Sequence, residues 1–449
     1  MYIKINPFVS SRVYEKEHFG FIADEFKHFY YLLTDYTADF WNLILVQNSG
    51  KQIREYAKRI NKENELKQFL TELKFRNLID IDADLEFSGY KFLKSVVEYD
   101  NEESFSEFHN NLRRLLVKKN FWETLILQLS YNCNLNCRHC FNNKSANYGE
   151  LNYDIARRAI DEGYELGITT VGITGGECSI HKDFLKIARY VRKKHLSLIF
   201  LTNGQKFFDD DKLIKEVIAL YPEQVQFSVY SMIPEVHDYI TKKNGSLEKT
   251  LKVIEQMREN NIKIVINTPV LSLNKDSYKS VKLYAKSIGA VFDESCFFIN
   301  NKNNKNEYAC LSYEEIREYY SKIIKEKSTN RKCMQKDDSL VCNDAGTMLI
   351  SIAPNLDITP CNDFKYVLGN YRTDSLSYIK NNSIPKFRAE FIKKNLKECF
   401  KNDYCKYCSY CPNHAMFDTN FMGRSESLCR DAKAYYEAVK EAKILKPFS

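Results

Sequence analysis

The chain has 449 residues, 44% hydrophobic and 28% charged, long enough for two or three cores. Those ordinary fractions exclude collagen, coiled coil and disorder as its main state. A net charge of +7 spread over this length is no nucleic-acid footprint. No apolar run reaches the ~18 residues of a membrane helix, and residues 1–10 lack a signal-peptide core. A cytoplasmic protein with neither membrane nor nucleic-acid partner is expected. Fourteen cysteines then redirect the question. Cytosolic thiols at short spacing mean metal or redox chemistry, not disulfides. None precedes Cys133, three fall within 133–140, and eight crowd 333–429.

In chain order, residues 2–24 carry β-compatible apolar side chains such as Ile3, Ile5, Val9, Val13, Phe19 and Phe21. Three amphipathic helices are predicted next. Phe40, Leu43 and Ile44 mark the first; Ile53, Tyr56, Ala57 and Ile60 the second; Leu66, Phe69, Leu70 and Leu73 the third. A hairpin leading into three short helices predicts a winged-helix-like module over residues 1–100. The charged, mixed stretch after it reads as a connector, residues 101–122.

From 123 to 325 the period alternates. Strand-like runs at 124–129, 170–173, 197–202, 224–230, 263–270 and 291–298 are separated by helical stretches at 153–166, 183–194, 211–220, 246–260 and 276–288, with a last one at 312–325. Six strand–helix units argue an α/β fold, a parallel sheet with helices outside. Eight would close a full barrel; six predict a partial (β/α)6 one. Residues 326–449 lose the alternation and become Cys- and Asn-rich, a composition that needs metal to order it.

The loop after the first barrel strand reads Ser130-Tyr-Asn-Cys133-Asn-Leu-Asn-Cys137-Arg-His-Cys140. Three thiolates cannot complete a four-iron cube, so one iron is left for something outside the protein. That is the arrangement needed when a cofactor must bind iron directly. The competing reading is zinc with His139 as fourth ligand.

Further motifs follow in order: Thr174-Gly175-Gly176-Glu177, Leu201-Thr202-Asn203-Gly204 and Phe227-Ser228-Val229-Tyr230. With the cysteine loop, they resemble the radical S-adenosylmethionine superfamily. The resemblance implies a 4Fe–4S cluster on Cys133, Cys137 and Cys140. It also implies S-adenosyl-L-methionine held by Gly175, Gly176 and Glu177, with Asn203, Ser228 and the weaker candidate Asn267 lining its pocket. Cys178 stands where the family often has Pro, and reads as a small buried hydrophobe. Asp238 and Ser246 read as helix caps.

Cys342-Asn-Asp-Ala-Gly346 and the run from Ile352 to Cys361 resemble the opening of a SPASM domain, the auxiliary iron–sulfur domain of peptide-modifying radical enzymes. Leu356 takes a position that is usually Gly. The second half, Cys399-x5-Cys405-x2-Cys408-x2-Cys411-x17-Cys429, departs from the family spacing, with Leu396 where a first cysteine would stand. These seven are one short of two four-thiolate clusters, and Cys333 is the candidate eighth. An open seven-ligand arrangement and a zinc knuckle at 405–411 remain alternatives. Cys178, Cys296 and Cys310 are then spare.

The first hundred residues resemble the peptide-recognition domain first seen in pyrroloquinoline quinone biosynthesis, which binds leader peptides as an added strand. A structural winged helix is its plainer reading. Together these resemblances imply a maturase of a ribosomally made precursor peptide, with a cysteine thioether the favoured product. A flavodoxin- or ferredoxin-type reducing partner is implied too. Carbon–carbon cross-linking and sulfatase-type formylglycine formation are the enzyme alternatives. A non-catalytic electron carrier or peptide scaffold is the alternative from another class.

Overall fold

A computed structural model describes residues 3–47, 50–82, 93, 96–99, 102–140, 148–296, 310–326, 335, 337–364, 366–396, 398–416 and 419–442. The amino-terminal unit opens with β1 (Ile3–Ile5), then a meander of β2 (Val9–Tyr14), β3 (Phe19–Asp24) and β4 (Phe29–Thr34). Helices α1 (Asp35–Gln47), α2 (Gly50–Arg59) and α3 (Glu63–Phe75) follow, with β5 (Ile79–Ile81) returning to pair β1. The three helical stripes read from the sequence bury Phe40, Ile44, Ile53, Ala57, Leu66, Phe69 and Leu73 in one core, together with Tyr31 and Leu33 of β4.

Two further elements complete this unit, one at the end of the expected module and one in the stretch expected to be a plain connector. β6 (Val96–Tyr99) pairs antiparallel with β4, giving a sheet ordered β2-β3-β4-β6. Helix α4 (Glu102–Lys118) then crosses the other face, burying Phe108, Leu112 and Leu116 against Tyr14, Phe19, Phe21 and Tyr30. Those three apolar residues recur every fourth position, so the helical period was present beneath the charge.

The central sheet carries six parallel strands in chain order: β7 (Thr124–Gln128), β8 (Thr170–Thr174), β9 (Ser197–Thr202), β10 (Gln224–Ser228), β11 (Ile264–Val270) and β12 (Val291–Cys296). Helices α5 (Tyr153–Glu165), α6 (Phe184–Lys193), α7 (Gln205–Phe208), α8 (Asp211–Ile218), α9 (Pro234–Thr241), α10 (Ser246–Glu259), α11 (Tyr278–Ser287) and α12 (Tyr313–Glu326) connect or follow them. The parallel α/β expectation holds. The strands are Val-, Ile- and Leu-rich because both faces are covered.

The carboxyl-terminal region does not stand apart. Its strand β13 (Leu349–Ile352) joins the sheet parallel to β7, and β14 (Asp357–Thr359) and β15 (Gly369–Asn370) extend it antiparallel. Leu356, at the turn between β13 and β14, adopts φ 69°, the left-handed conformation that the usual Gly would take freely. Short helices α13 (Leu376–Tyr378), α14 (Ile384–Glu390) and α15 (Pro412–Met416) precede the long α16 (Glu426–Glu441). Ile350, Ile352, Ile358, Phe364 and Leu396 lie in one continuous core with Leu125, Leu127 and Val171 of the barrel. Helix α16 packs on α12 through Ile316, Tyr320, Ala434, Tyr435 and Ala438.

The amino-terminal unit is docked at the end of the barrel where the strands begin. Arg12 donates to the Tyr164 carbonyl and lies 3.3 Å over the Tyr164 ring. The Tyr14 hydroxyl donates to Gly167 O at 2.8 Å, and Ser11 N donates to His195 O at 2.7 Å. Buried Arg192 reaches Ser10 and the Pro7 carbonyl, and Ser197 donates to Glu25 at 2.8 Å. Glu223, buried before β10, is pushed up to about 7 by burial and by the neighbouring Glu25 carboxylate. No helix among the described residues is long and apolar enough to cross a membrane.

Candidate functional site

Every motif singled out in the barrel lies at the opposite rim, where the strands end. Strand register sets Gln128 beside Thr174, Phe227 beside Thr202, Ser228 beside Asn267, and Asn267 beside Asp293. This is the rim where α/β barrels assemble their sites, because loops of several strands converge there.

The cysteine loop is pinned at both ends. Its base pairs with the Gly-Gly segment: Leu129 N donates to Thr174 O, Gly176 N to Ser130 O at 2.7 Å, and Glu177 N to Asn132 O at 2.9 Å. Gly175 has φ 146°, and a Cβ there would sit 2.3 Å from Ser130 O; one on Gly176 would sit 2.3 Å from Asn132 O. Only glycine allows this approach. The far end is held by α9, with Asn136 N donating to Thr241 O and Arg138 N to Ile240 O. Arg138 also lies 3.8 Å over the Tyr239 ring.

Within the loop, Cys133 accepts from Leu135 N at 3.4 Å and from Asn203 Nδ2 at 3.6 Å, while Asn203 Nδ2 donates to Asn134 at 2.8 Å. Asn203, at the end of β9, therefore ties the third barrel unit to the first cysteine. Tyr230, buried after β10, lies against Cys137 and Ser228. Its ring meets His139 edge-on at 4.8 Å. Burial holds His139 neutral, pushed down to about 4.

Glu177 is 1% exposed and both its oxygens are engaged. Oε1 accepts from Ser179 N at 3.0 Å, Ser179 Oγ at 2.5 Å and Thr202 Oγ1 at 2.7 Å; Oε2 accepts from Asn203 N at 2.7 Å. The carboxylate fastens the ends of β8 and β9 together. Asn267 is half-buried and donates to Asp293 at 2.9 Å. Cys178 is buried beneath the rim, its thiol 3.5 Å from Leu201 O, and packs with the core. Asp238 caps α10, accepting from Gly245 N, Ser246 Oγ and Leu247 N. Sequence reasoning missed Tyr230 and Gln128 as site residues. Gln128 is buried at the end of β7 and donates to Ser351 and to the Asn362 carbonyl, beside Cys361. A polar residue ending an otherwise apolar strand was the available signal.

The carboxyl-terminal thiols fall into two groups. Cys399, Cys405, Cys408 and Cys429 line one pocket with Tyr404, Tyr410 and Leu428. Cys411 faces elsewhere, toward Cys342, Cys361 and Asp363. Cys333 lies outside the described residues, as does the side chain of Cys296, while Cys310 sits half-buried before α12. Leu396 is 2% exposed and belongs to the core.

Burial pushes Cys399 up to about 11 and Cys361 up to about 12, so both are protonated as free thiols. Binding iron would draw them to thiolate and release protons. Among the described residues no three Cys, His, Asp or Glu side chains converge on a single-ion site. A cube instead spreads its thiolates over four irons. A pocket ringed by four thiols suits that donor set.

Residues 127–283 match the radical SAM superfamily and residues 342–412 the SPASM iron-sulfur cluster-binding domain, so the chain carries both domains. These domains imply 4Fe–4S clusters and S-adenosylmethionine as cofactors. Among curated proteins it is 29% identical over 209 residues to the AdoMet-dependent heme synthase of Methanosarcina barkeri, covering 46% of this chain and 59% of that protein. It is 25% identical over 294 residues to the antilisterial bacteriocin subtilosin biosynthesis protein AlbA of Bacillus subtilis, covering 63% and 65%. The chain thus spans about three-fifths to two-thirds of those relatives. Its fold is similar to the crystal structure of Streptococcus suis SuiB, with TM-score 0.55 and 16% identity over 95% of this chain and 99% of that one.

Proposed function

We propose that this chain is a radical S-adenosylmethionine maturase that modifies a ribosomally made precursor peptide, with a Cys-to-carbon thioether as its product. The observation that carries this reading is one arrangement: a three-thiol loop at the barrel mouth, with a four-thiol pocket in a region sharing the barrel's core. The relationship to the subtilosin protein AlbA supports it, as does a fold shared with SuiB, which has been crystallised with the precursor peptide SuiA.

When bound, S-adenosylmethionine on the reduced cluster supplies a 5′-deoxyadenosyl radical that takes a hydrogen atom from a peptide carbon. Cys133, Cys137 and Cys140 would hold three irons of such a cluster, which would leave one iron without a protein ligand. Gly175 and Gly176 bring backbone close to the loop, Asn203 reaches Cys133, and Ser228 at the end of β10 would line the cofactor's pocket. Thioether formation replaces one C–H and one S–H bond by a C–S bond. Of the two hydrogens removed, one would leave as a hydrogen atom on 5′-deoxyadenosine and the other as a proton to solvent; the C-terminal cysteines would hold the auxiliary cluster that could accept the surplus electron. A flavodoxin- or ferredoxin-type protein supplies the reducing electron, in a cytosol that keeps the thiols reduced. The module of residues 1–100 holds the leader, and because it docks at the far rim, the linking peptide runs past the barrel to reach the mouth.

The test is anaerobic reconstitution with S-adenosylmethionine and the candidate precursor. The expected result is 5′-deoxyadenosine together with a peptide lighter by two hydrogens that resists thiol alkylation. A second reading is the sulfatase-type formylglycine formation that the sequence left open. An aldehyde-reactive product would favour it. No 5′-deoxyadenosine from a fully iron-loaded chain would return the protein to the electron-carrier class.

A further inference from the structure

Three buried polar side chains cross the sheet where the barrel meets the carboxyl-terminal region: Gln128 on β7, Ser351 on β13 and Thr359 on β14. Register explains how they line up. Ser351 pairs with Ile126 on one side and Thr359 on the other, and Gln128, two residues past Ile126, shares their face. Buried polar atoms need partners, and here the partners converge on one short turn. Gln128 Nε2 donates to Ser351 Oγ at 3.0 Å and to Asn362 O at 3.3 Å, while Thr359 Oγ1 donates to Cys361 O at 2.9 Å.

The peptide unit joining Asn362 to Asp363 is trans and planar, so its C=O and N–H point in opposite directions. Gln128 holds the C=O end. The other end, Asp363 N–H, turns back to the Cys361 sulfur, and Phe364 N–H donates to the same atom. The three-thiol loop repeats this contact between residues two apart, with Leu135 N donating to Cys133 at 3.4 Å. Cys361 lies near Cys411, and Cys411 near Cys342, a thiol set that suits the irons of a second cube.

We propose that Gln128 is a positioning residue for the auxiliary cluster held by Cys361, and that it raises that cluster's reduction potential by aiming the Asp363 N–H at the ligating sulfur. This rests on the cluster reading of these thiols and not on the identity of the peptide product. An N–H donor at a cluster sulfur favours the reduced state, which carries one more negative charge. Donation into the carbonyl of the same peptide unit strengthens that N–H. The Asp363 carboxylate faces Cys361 and Cys411 and works the other way, so a turn released by Gln128 keeps the repulsion and weakens the donor. Gln128 precedes Cys133 by five positions, so the strand that carries the three-thiol loop also sets how readily the auxiliary site takes an electron.

The test is a redox titration of the full-length, iron-loaded chain, followed by electron paramagnetic resonance. The signal lost in Cys361→Ala identifies the cluster to follow. If that substitution leaves iron and signals unchanged, the cluster reading of this thiol falls, and the inference with it. Gln128→Met keeps the length and deletes the donor; it should lower the midpoint potential by about 59 mV, a tenfold change in a one-electron equilibrium. Gln128→Glu, which still accepts from Ser351, should lower it at least as far. Ser351→Ala removes one partner of Gln128 and leaves the Asn362 contact, so its potential should match the unsubstituted chain. A Ser351→Ala shift equal to that of Gln128→Met would assign the effect to strand packing and overturn the proposal. An unchanged or raised potential in the Gln128 variants overturns it too. So does loss of this cluster's iron in both of them, since Gln128 would then hold the cluster in place instead of tuning it.

Discussion

Cys133, Cys137 and Cys140 sit on one loop of eight residues, whereas Cys399, Cys405, Cys408 and Cys429 are gathered from several short elements and from α16. The first group is fixed by neighbours of the barrel itself: the Gly175–Gly176 backbone, Asn203 and the end of α9. The second is fixed by tertiary packing, with α16 brought in by its contacts to α12 and Leu396 filling the core where a ligand would otherwise stand. The difference teaches that an incomplete thiol set can be encoded locally, while a complete one is assembled at a distance. On the proposed reading, the incomplete set would leave an iron for chemistry, and the complete set would serve electron storage and folding.

The largest effects should come from the local loop. Replacing any one of Cys133, Cys137 or Cys140 by Ala should reduce 5′-deoxyadenosine formation to background, measured anaerobically with excess dithionite. Activity persisting in the triple variant would remove the loop from the chemistry.

The pocket should respond by group. Cys408→Ala and Cys429→Ala are expected to share one phenotype: loss of up to about four irons per chain, or a three-iron signal by electron paramagnetic resonance. 5′-Deoxyadenosine formed without peptide should persist. Cys411→Ala should perturb a different cluster, with a distinct spectrum. Identical spectra for Cys408→Ala and Cys411→Ala would break the partition described here.

Glu177 sharpens the comparison from the barrel side. Glu177→Ala leaves the donors on Ser179, Thr202 and Asn203 buried without their acceptor, a loss of about 2–4 kcal/mol in unfolding free energy. Glu177→Gln should lose less, since it keeps the volume and one carbonyl acceptor. Denaturant unfolding of the two variants measures the gap, and equal stabilities would show that the fastening is unimportant.

The smallest effect lies at the docked amino-terminal unit. Glu223, held up to about 7 by burial and Glu25, binds its proton more tightly folded than unfolded. Stability from this group is therefore present at low pH, falls as pH rises from about 4.5 to about 7, and is flat above. In Glu223→Gln that component of the pH profile should vanish, at most about 3 kcal/mol by thermal or urea unfolding. A parallel profile in the variant would move the origin elsewhere.

What the sequence determined by itself is whatever depends on near neighbours along the chain. Strand and helix periods over 123–325 placed all six parallel strands within about two residues, because apolar period follows directly from local geometry. The C-x3-C-x2-C spacing singled out the three-thiol loop for the same reason, and Gly175 and Gly176 announced a close backbone approach. Tertiary structure alone decided the rest. It separated Cys408 from Cys411, three residues apart in sequence, into different groups, since a pocket's membership depends on which buried face each thiol meets. It turned Glu177 into a fastener, since besides the two donors of nearby Ser179 it takes two from Thr202 and Asn203 at the end of β9. It joined β13 to the barrel sheet, and it laid β6 along β4, a pairing across more than sixty residues that four residues of alternating sequence cannot specify.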